Sequence, residues 1–354
     1  MTQLTTAGFH HVTLVCRDAR QTIRFYRDIL GLSLVKVTVN FDRTDTYHLY
    51  FGDPAGTPGT LLTFFEWPEA KRGRYGVGGI HHVALGTRDD DTLLMWKRWL
   101  TENGVRVTGP YDRGYFTSIY FTDPDGQVIE IATDGPGLQI DEPANALGRN
   151  LMIPPESRFP EGRDEAAIRA KTWTEPIDAP TEAMRLHGIH HVTGMTDDLD
   201  AAHDFYTRLL GLRLVKMSLN QDDPDTRHYF WANYDQETVA YGSDFTLFGW
   251  RDTSPRAREG AGQTHHVAWR AVDEDELHSW REYLLGFGHE VTDVRDRKYF
   301  KSFYFRTHDG LLVEIATDGP SFGIDETELG SAVQLPDWLE DRRDEIVSSL
   351  RPLI

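Results

Sequence analysis

The sequence predicts an α+β fold assembled from four βαβββ modules, and three observations carry that expectation. The segment GFHHVTLVCRDARQTIRFYRDILGLSLVKVTVN beginning at Gly8 returns as GIHHVTGMTDDLDAAHDFYTRLLGLRLVKMSLN at Gly188, and GPYDRGYFTSIYFTDPDGQVIEIATDGPGLQIDE from Gly109 is matched by TDVRDRKYFKSFYFRTHDGLLVEIATDGPSFGIDE from Thr292. Such self-similarity marks a tandem duplication. His-His-Val then divides each half again, occurring at His10-His11, His81-His82, His190-His191 and His265-His266 after glycine-containing leads. Each occurrence opens a run of strand character, followed by a helical apolar periodicity and by three further alternating runs.

Module 1 spans residues 8–68. Its first strand is HHVTLV, and DARQTIRFYRDILG reads as an amphipathic helix ending at Gly31, a residue suited to a left-handed C-cap. Module 2, 78–134, repeats the order with the helix DDDTLLMWKRWLTENG and the strands VRVTGP, FTSIYFTDP and QVIEIAT, punctuated by the turn Asp123-Pro124-Asp125-Gly126. Modules 3 (187–250) and 4 (262–318) follow, so the two halves are expected at 1–140 and 187–326. Between them, 141–186 is rich in Pro, Glu and Arg, lacks strand alternation and carries one short helix near Asp164 to Lys171; the tail at 327–354 echoes it. Two readings of these segments stand side by side: helices docked on the surface, or partly disordered connections.

With 39% hydrophobic residues, the 354-residue chain has enough apolar side chain for real cores. No run approaches about 18 apolar residues, and MTQLTTAGFHH has neither the basic start nor the apolar stretch of a secretory signal, so a cytoplasmic location is expected. A formal charge of −19 repels phosphate backbones and anionic bilayers, which argues against nucleic acid or membrane as the main partner. Cys16, the one cysteine, excludes an intrachain disulfide and a cysteine-rich metal site. Metal chemistry then falls to His, Asp and Glu.

Alternate side chains of a strand share a face. His10 falls in phase with Val12 and Leu14, a parity expected to pack beneath the helix, whereas His11 shares its face with Thr13, and His82 with Ala84. Small or polar neighbours suit a cavity, so the second histidine of each pair is the better metal ligand. The last strand of each module offers a carboxylate: Gly126 to Glu130 and Gly310 to Glu314 are equal steps, and the same step from Gly59 and Gly242 lands on Thr63 and Thr246. The pooled ligands are His11, His82, His191, His266, Glu130 and Glu314, which divide into two sets of two His and one Glu. A facial triad of this kind leaves positions open for substrate oxygens and O2, as a non-haem Fe(II) oxygenase requires; Mn(II) and Zn(II) are accepted by the same donors. An acid in place of Thr63 or Thr246 would instead complete a four-ligand, glyoxalase-like isomerase or lyase site, and Glu66 is the residue that could swing in. A non-catalytic binder of aromatic drugs would need no triad.

HHVT, FYxxxLGLxLVK (Phe25 to Lys36 and Phe205 to Lys216), DTYHLYFGD, GTPGTLLTFFEWP and the EIATDGP endings resemble the vicinal oxygen chelate superfamily, which includes glyoxalases, bleomycin-resistance proteins and dioxygenases. Within it the chain is most similar to ring-cleaving extradiol dioxygenases of the hydroquinone-cleaving branch, over nearly its whole length apart from the linker and tail. The resemblance implies modules paired into two cup-shaped mixed sheets with helices outside, Fe(II), and O2-dependent opening of a small aromatic diol; a homo-oligomer is compatible with it. It marks His11, His266 and Glu314 as one ligand set, from modules 1 and 4. The same pairing of modules 2 and 3 gives His82, Glu130 and His191, a second intact set where the branch keeps one, so one working site and two both stay open. Pairing modules 1 with 2 and 3 with 4 would regroup the same six ligands.

The resemblance also suggests residues beside the metal. Tyr304 matches the tyrosine placed next to substrate, with Tyr120 as its twin, and Arg113 matches the substrate-side arginine better than Arg297, whose register is ambiguous. His10 and His265 are marked as acid or base groups behind the ligands, and Thr13 as a cavity residue. His48 and His228 occupy equivalent positions that fit either a proton relay or a structural role.

Overall fold

The computed structural model describes residues 3–235, 237–251 and 254–353. Module 1 contributes β1 (Phe9–Cys16), α1 (Ala19–Ile23), β2 (Ser33–Asn40), β3 (Arg43–Gly52) and β4 (Leu61–Glu66), and module 2 contributes β5 (Ile80–Thr87), α2 (Asp90–Glu102), β6 (Thr108–Asp112), β7 (Thr117–Thr122) and β8 (Val128–Thr133). After β9 (Leu151–Met152) and α3 (Glu165–Ala170) come β10 (Ile189–Thr196), α4 (Leu199–Asp204), β11 (Arg213–Asn220), β12 (Asp223–Ala232) and β13 (Asp244–Gly249) of module 3. Module 4 supplies β14 (Thr264–Ala271), α5 (Glu274–Gly286), β15 (Arg295–Asp296), β16 (Phe300–Arg306) and β17 (Leu312–Pro320), before α6 (Arg343–Ser349) in the tail. Each module helix starts at the same chemistry, an aspartate N-cap: Asp18, Asp89, Asp198 and Asp273 accept hydrogen bonds from first-turn backbone N–H groups.

The expected α+β fold of two mixed, curled sheets is what forms. One sheet has the order β15-β16-β17-β14-β1-β4-β3-β2 and the other β6-β7-β8-β5-β10-β13-β12-β11-β9. Module 1 therefore pairs with module 4, and module 2 with module 3, so each sheet draws on both halves of the chain. In each, the first strands of the two modules run antiparallel at the centre, and each is flanked by a parallel strand of its own module. Two reciprocal hydrogen bonds tie the cups together, from Phe9 N–H to Gly242 O at 2.8 Å and from Ile189 N–H to Gly59 O at 2.9 Å. They explain the glycine that leads each half: Gly8 (φ 101°) and Gly188 (φ 106°) sit where a Cβ would come within 2.9 Å of those carbonyls.

Val12 and Leu14 join Ile23, Tyr26 and Phe64 in the main core, as their parity predicts. The linker is packed against the protein: β9 adds to the edge of its sheet beside β11, Leu147 and Met184 are buried, and the Lys97 ammonium donates to the carbonyls of Ile168, Arg169 and Lys171 at the end of α3. The tail does the equivalent, with Val333 bridging to Val37 and Leu335, Ile346 and Leu350 buried. The Lys of each LVK motif pins these excursions. Lys36, with no exposed side chain, pairs with Asp325 at 2.7 Å and Glu326 at 2.5 Å, and Lys216 pairs with Asp141 and Glu142. Among the described residues no helix is long and apolar enough to cross a membrane.

Candidate metal centres

The central strands bring together the predicted ligands. His11 on β1 lies opposite Ala268 on β14, which in turn neighbours Glu314 on β17, while His266 lies opposite Thr13. The small Ala268 leaves room between the donors. Their atoms form a tight triangle: His11 Nε2 to Glu314 Oε2 3.1 Å, His266 Nε2 to Glu314 Oε2 2.8 Å and His11 Nε2 to His266 Nε2 3.2 Å. The other cup repeats it through His191, Ala84 and Glu130, with His82 opposite Thr193 and separations of 2.9, 3.3 and 3.3 Å. Donors about 2.1 Å from one ion and at right angles to one another lie roughly 3.0 Å apart, so each triangle suits one face of an octahedral ion.

Both carboxylates are fully buried, and neither oxygen of either accepts a well-formed hydrogen bond. Burial pushes each carboxyl up, yet His11 and His266, in their protonated form, hold Glu314 well below the usual carboxylate range, and protonated His191 and His82 do the same for Glu130. A buried, ionised and orphaned carboxylate facing two imidazole nitrogens is costly unless a cation compensates it. The two sets fit a divalent metal.

The first histidine of each pair departs from its expected position. His10 does not pack beneath the helix. The β1–β14 register slips between Phe9 and His11 and again where Thr13 and Leu14 oppose His266 and Thr264, and the β10–β5 register slips in the same two places. His10, His265, His190 and His81 are thus the extra residues of four β-bulges, and a bulge re-aims its side chain. In every pair the two Nδ1 atoms meet, at 2.8 Å (His10–His11), 2.8 Å (His81–His82), 2.9 Å (His190–His191) and 2.7 Å (His265–His266). His10 Nε2 lies 3.1 Å from the Thr317 carbonyl, which only accepts, so that nitrogen carries the proton. Its Nδ1 then accepts from His11 Nδ1–H, leaving the His11 Nε2 lone pair directed at the triangle. Burial, with the neighbouring His11, lowers His10 to a pKa of about 3 and keeps the relay neutral.

Tyr304 and Tyr120 stand edge-on to the ligand rings of His266 and His82, with centroids 5.4 and 5.7 Å apart. Burial pushes both phenols far above their usual range, so each keeps its proton. The register of Arg297 resolves in favour of equivalence: Arg113 and Arg297 each donate a backbone hydrogen bond to Phe116 or Phe300 at 2.9 Å, and each guanidinium reaches the tyrosine hydroxyl, at 3.2 and 3.4 Å. Thr13 binds Thr63 at 2.8 Å, and Thr63 binds His48 at 3.0 Å; Thr193, Thr246 and His228 repeat the chain at 2.7 and 2.8 Å. Glu66 does not swing in. Its carboxylate accepts from Ala19 N–H at the start of α1, so it completes no fourth ligand position.

A family model of the Glyoxalase/Bleomycin resistance protein/Dioxygenase superfamily matches residues 8–131 and 188–315. The chain belongs to that superfamily. Among superfamily members, the protein named "Putative ring-cleaving dioxygenase MhqO" of Bacillus subtilis (strain 168) is 33% identical over 98% of this chain and 96% of its own. The chlorohydroquinone/hydroquinone 1,2-dioxygenase of Sphingobium indicum is 27% identical over 97% of this chain and 95% of its own. A solved "putative dioxygenase" from Bacillus subtilis subsp. subtilis str. 168 superposes with a TM-score of 0.77 at 31% identity, covering 98% of this chain and 97% of that one. Superfamily motifs do not single out the residues that overhang the two sites. Phe41 and Asp42 at the β2–β3 turn, and Gln221 and Asp222 at the β11–β12 turn, reach Arg297 and Arg113 only through the pairing of distant modules.

Proposed function

We propose that the protein is an Fe(II)-dependent ring-cleaving dioxygenase that opens a hydroquinone or catechol-like aromatic diol with O2. The observation that carries this reading is the buried triangle of two imidazoles and one orphaned carboxylate, present twice, with a protonated tyrosine and a guanidinium beside each. His11, His266 and Glu314 would hold one ion, and His82, His191 and Glu130 the other. Bound Fe(II) supplies the coordination of diol and O2 and the redox chemistry of ring opening.

The chain's own residues supply orientation, dryness and protons. His10 and His265 hold the ligand rings in the tautomer that presents Nε2. Tyr304 and Tyr120 offer O–H donors to oxygen atoms of the bound reactants, and Arg297 and Arg113 add fixed positive charge where negative charge develops. Asp222 sits 3.2 Å from the Arg113 guanidinium; although burial opposes the charge, Tyr120, Asp222 and Glu130 keep it on. Phe116, stacked on His191 at 5.2 Å, and Phe300, 5.4 Å from His11, shield the ligand rings from water.

Anaerobic reconstitution with Fe(II), followed by metal analysis and oxygen uptake on a panel of hydroquinones and catechols, tests the proposal. Two metals per chain are expected in the wild type, one in Glu130→Gln and one in Glu314→Gln, with diol-dependent oxygen uptake by the Fe(II) form. Absence of uptake with every diol, while another ion supports turnover, would sink the dioxygenase reading.

A further inference from the structure

The connection between the two halves places an arginine at the mouth of one metal cup. Arg163, just before α3, has a side chain only 8% exposed and stacks on Tyr111, its guanidinium carbon 4.7 Å from the ring centroid. Its Nη2 donates to Asp222 Oδ1 at 2.7 Å. Tyr111 and Asp222 line the cavity over His82 and His191, so a linker side chain braces the rim of a site built by modules 2 and 3.

Asp222 works as a two-sided clamp. Its Oδ1 holds Arg163, while its Oδ2 accepts from Arg113 Nη2 at 3.2 Å, and the same Nη2 donates to the Tyr120 hydroxyl at 3.2 Å. Arg113 also lies over both rings, 5.3 Å from Tyr111 and 5.2 Å from Tyr120. One chain of contacts thus runs Arg163–Asp222–Arg113–Tyr120, from the linker to the phenol that stands edge-on to His82. Burial pushes the Asp222 carboxyl up, but Arg113 and Arg163 hold it below the usual carboxylate range, so it stays ionised. Glu165 holds the Nε edge of the Arg163 guanidinium at 3.1 Å, which leaves the Nη2 edge to Asp222. Without Arg163, the Asp222 charge falls to Arg113 alone and draws its guanidinium off Tyr120.

The cup of modules 1 and 4 builds its rim from other parts. Arg295 on β15 stands where Tyr111 stands in module 2, and Arg295 and Arg297 share Asp42 at 3.5 and 3.4 Å. The tail repeats the linker's Arg163-Asp164-Glu165 as Arg343-Asp344-Glu345, but Arg343 bonds to Glu340 and the Val333 carbonyl. Each rim therefore sets two guanidiniums on one aspartate. In one cup the second guanidinium comes from a module strand, and in the other from the linker.

We propose that Arg163 is a positioning residue of the cup of modules 2 and 3, acting through Asp222 to hold the Arg113 guanidinium beside Tyr120 and a bound aromatic diol. This rests on the diol reading above. Anaerobic titration of the Fe(II)-loaded protein with 4-nitrocatechol, followed by the absorption of the bound diol, reads it out. Glu314→Gln isolates the cup of modules 2 and 3, and Glu130→Gln isolates the other. In E314Q, Arg163→Met is expected to weaken binding about 10-fold. Arg163→Lys, which keeps a cation on Asp222, should recover most of that loss, and Asp222→Asn should make R163M without further effect. E130Q should bind the diol alike with and without R163M, and one metal per chain in every variant checks folding. An E314Q that binds no diol or ignores R163M, an equal loss in E130Q, an R163K as weak as R163M, or a loss that persists in D222N would overturn the assignment. The two readings fail separately. The expected binding pattern without oxygen uptake removes the dioxygenase proposal and leaves Arg163 assigned, whereas oxygen uptake by E314Q that R163M leaves unchanged removes Arg163 and keeps the dioxygenase.

Discussion

At the scale of single residues, the decisive feature is the histidine that does not reach the metal triangle. His10 fixes the tautomer of His11 through one hydrogen bond and is itself fixed by the Thr317 carbonyl. Replacing it by phenylalanine keeps a ring against Phe300 but removes the acceptor. A loss of roughly 10- to 100-fold in metal affinity at the triad of modules 1 and 4 is expected, with the other triad unchanged, in a competitive chelator titration. Asp123 shows a different residue-scale effect. Its carboxylate caps the backbone N–H groups of Asp125, Gly126 and Gln127, but burial outweighs those bonds and raises its pKa from 3.8 to about 6. The folded state thus holds this proton more tightly than the unfolded state does. The resulting stabilisation is complete below pH 3.8 and is lost as pH rises through about 6. Asp123→Asn should abolish this component, so the stability difference between variant and wild type should shift in the variant's favour by up to about 3 kcal/mol between pH 4 and pH 7 in urea titrations.

At the scale of elements, the LVK strands matter as much for what they anchor as for the sheet they extend. Lys36 on β2 is fully buried and neutralises Asp325 and Glu326 of the segment after β17. Lys36→Ala leaves two carboxylates without their cation, and a loss of about 3–5 kcal/mol is expected in chemical unfolding. Lys216→Ala should cost less, because its partner Asp141 is one-third exposed and can be solvated. The helices were legible from apolar periodicity and the glycines that end them, while the aspartates that cap their starts emerged from the structure. The bulges were not, because an extra residue in a strand leaves no mark on the alternation until the partner strand is known. That is why His10, in phase with Val12 and Leu14, was expected beneath the helix.

At the scale of the whole molecule, neither half of the duplication contains a complete triad. His11, His82 and Glu130 lie in the first half, and His191, His266 and Glu314 in the second, while the central strand pairs β1–β14 and β5–β10 join the halves. Splitting the chain within the linker should give two fragments that bind little metal alone and recover two ions per pair when co-expressed, as read by metal analysis of the co-purified complex. Recovery of a full complement by either fragment alone would contradict the interdigitated arrangement.

The sequence by itself determined the four modules, their strand and helix order, the six ligands and the threonines that replace two further acids. These are properties of local periodicity and of repeats, and both survive translation along the chain. Only the tertiary structure decided which modules pair, where the first histidine of each pair points, and whether Arg297 is the counterpart of Arg113. Phe41 and Gln221 occupy the same place in their repeats, yet Phe41 lies against Trp338 of the tail while Gln221 bonds to Arg113. Their effect depends on an arginine and a tail more than 100 residues away in sequence. Contacts of that kind arise from packing between elements, which no pattern within one element records.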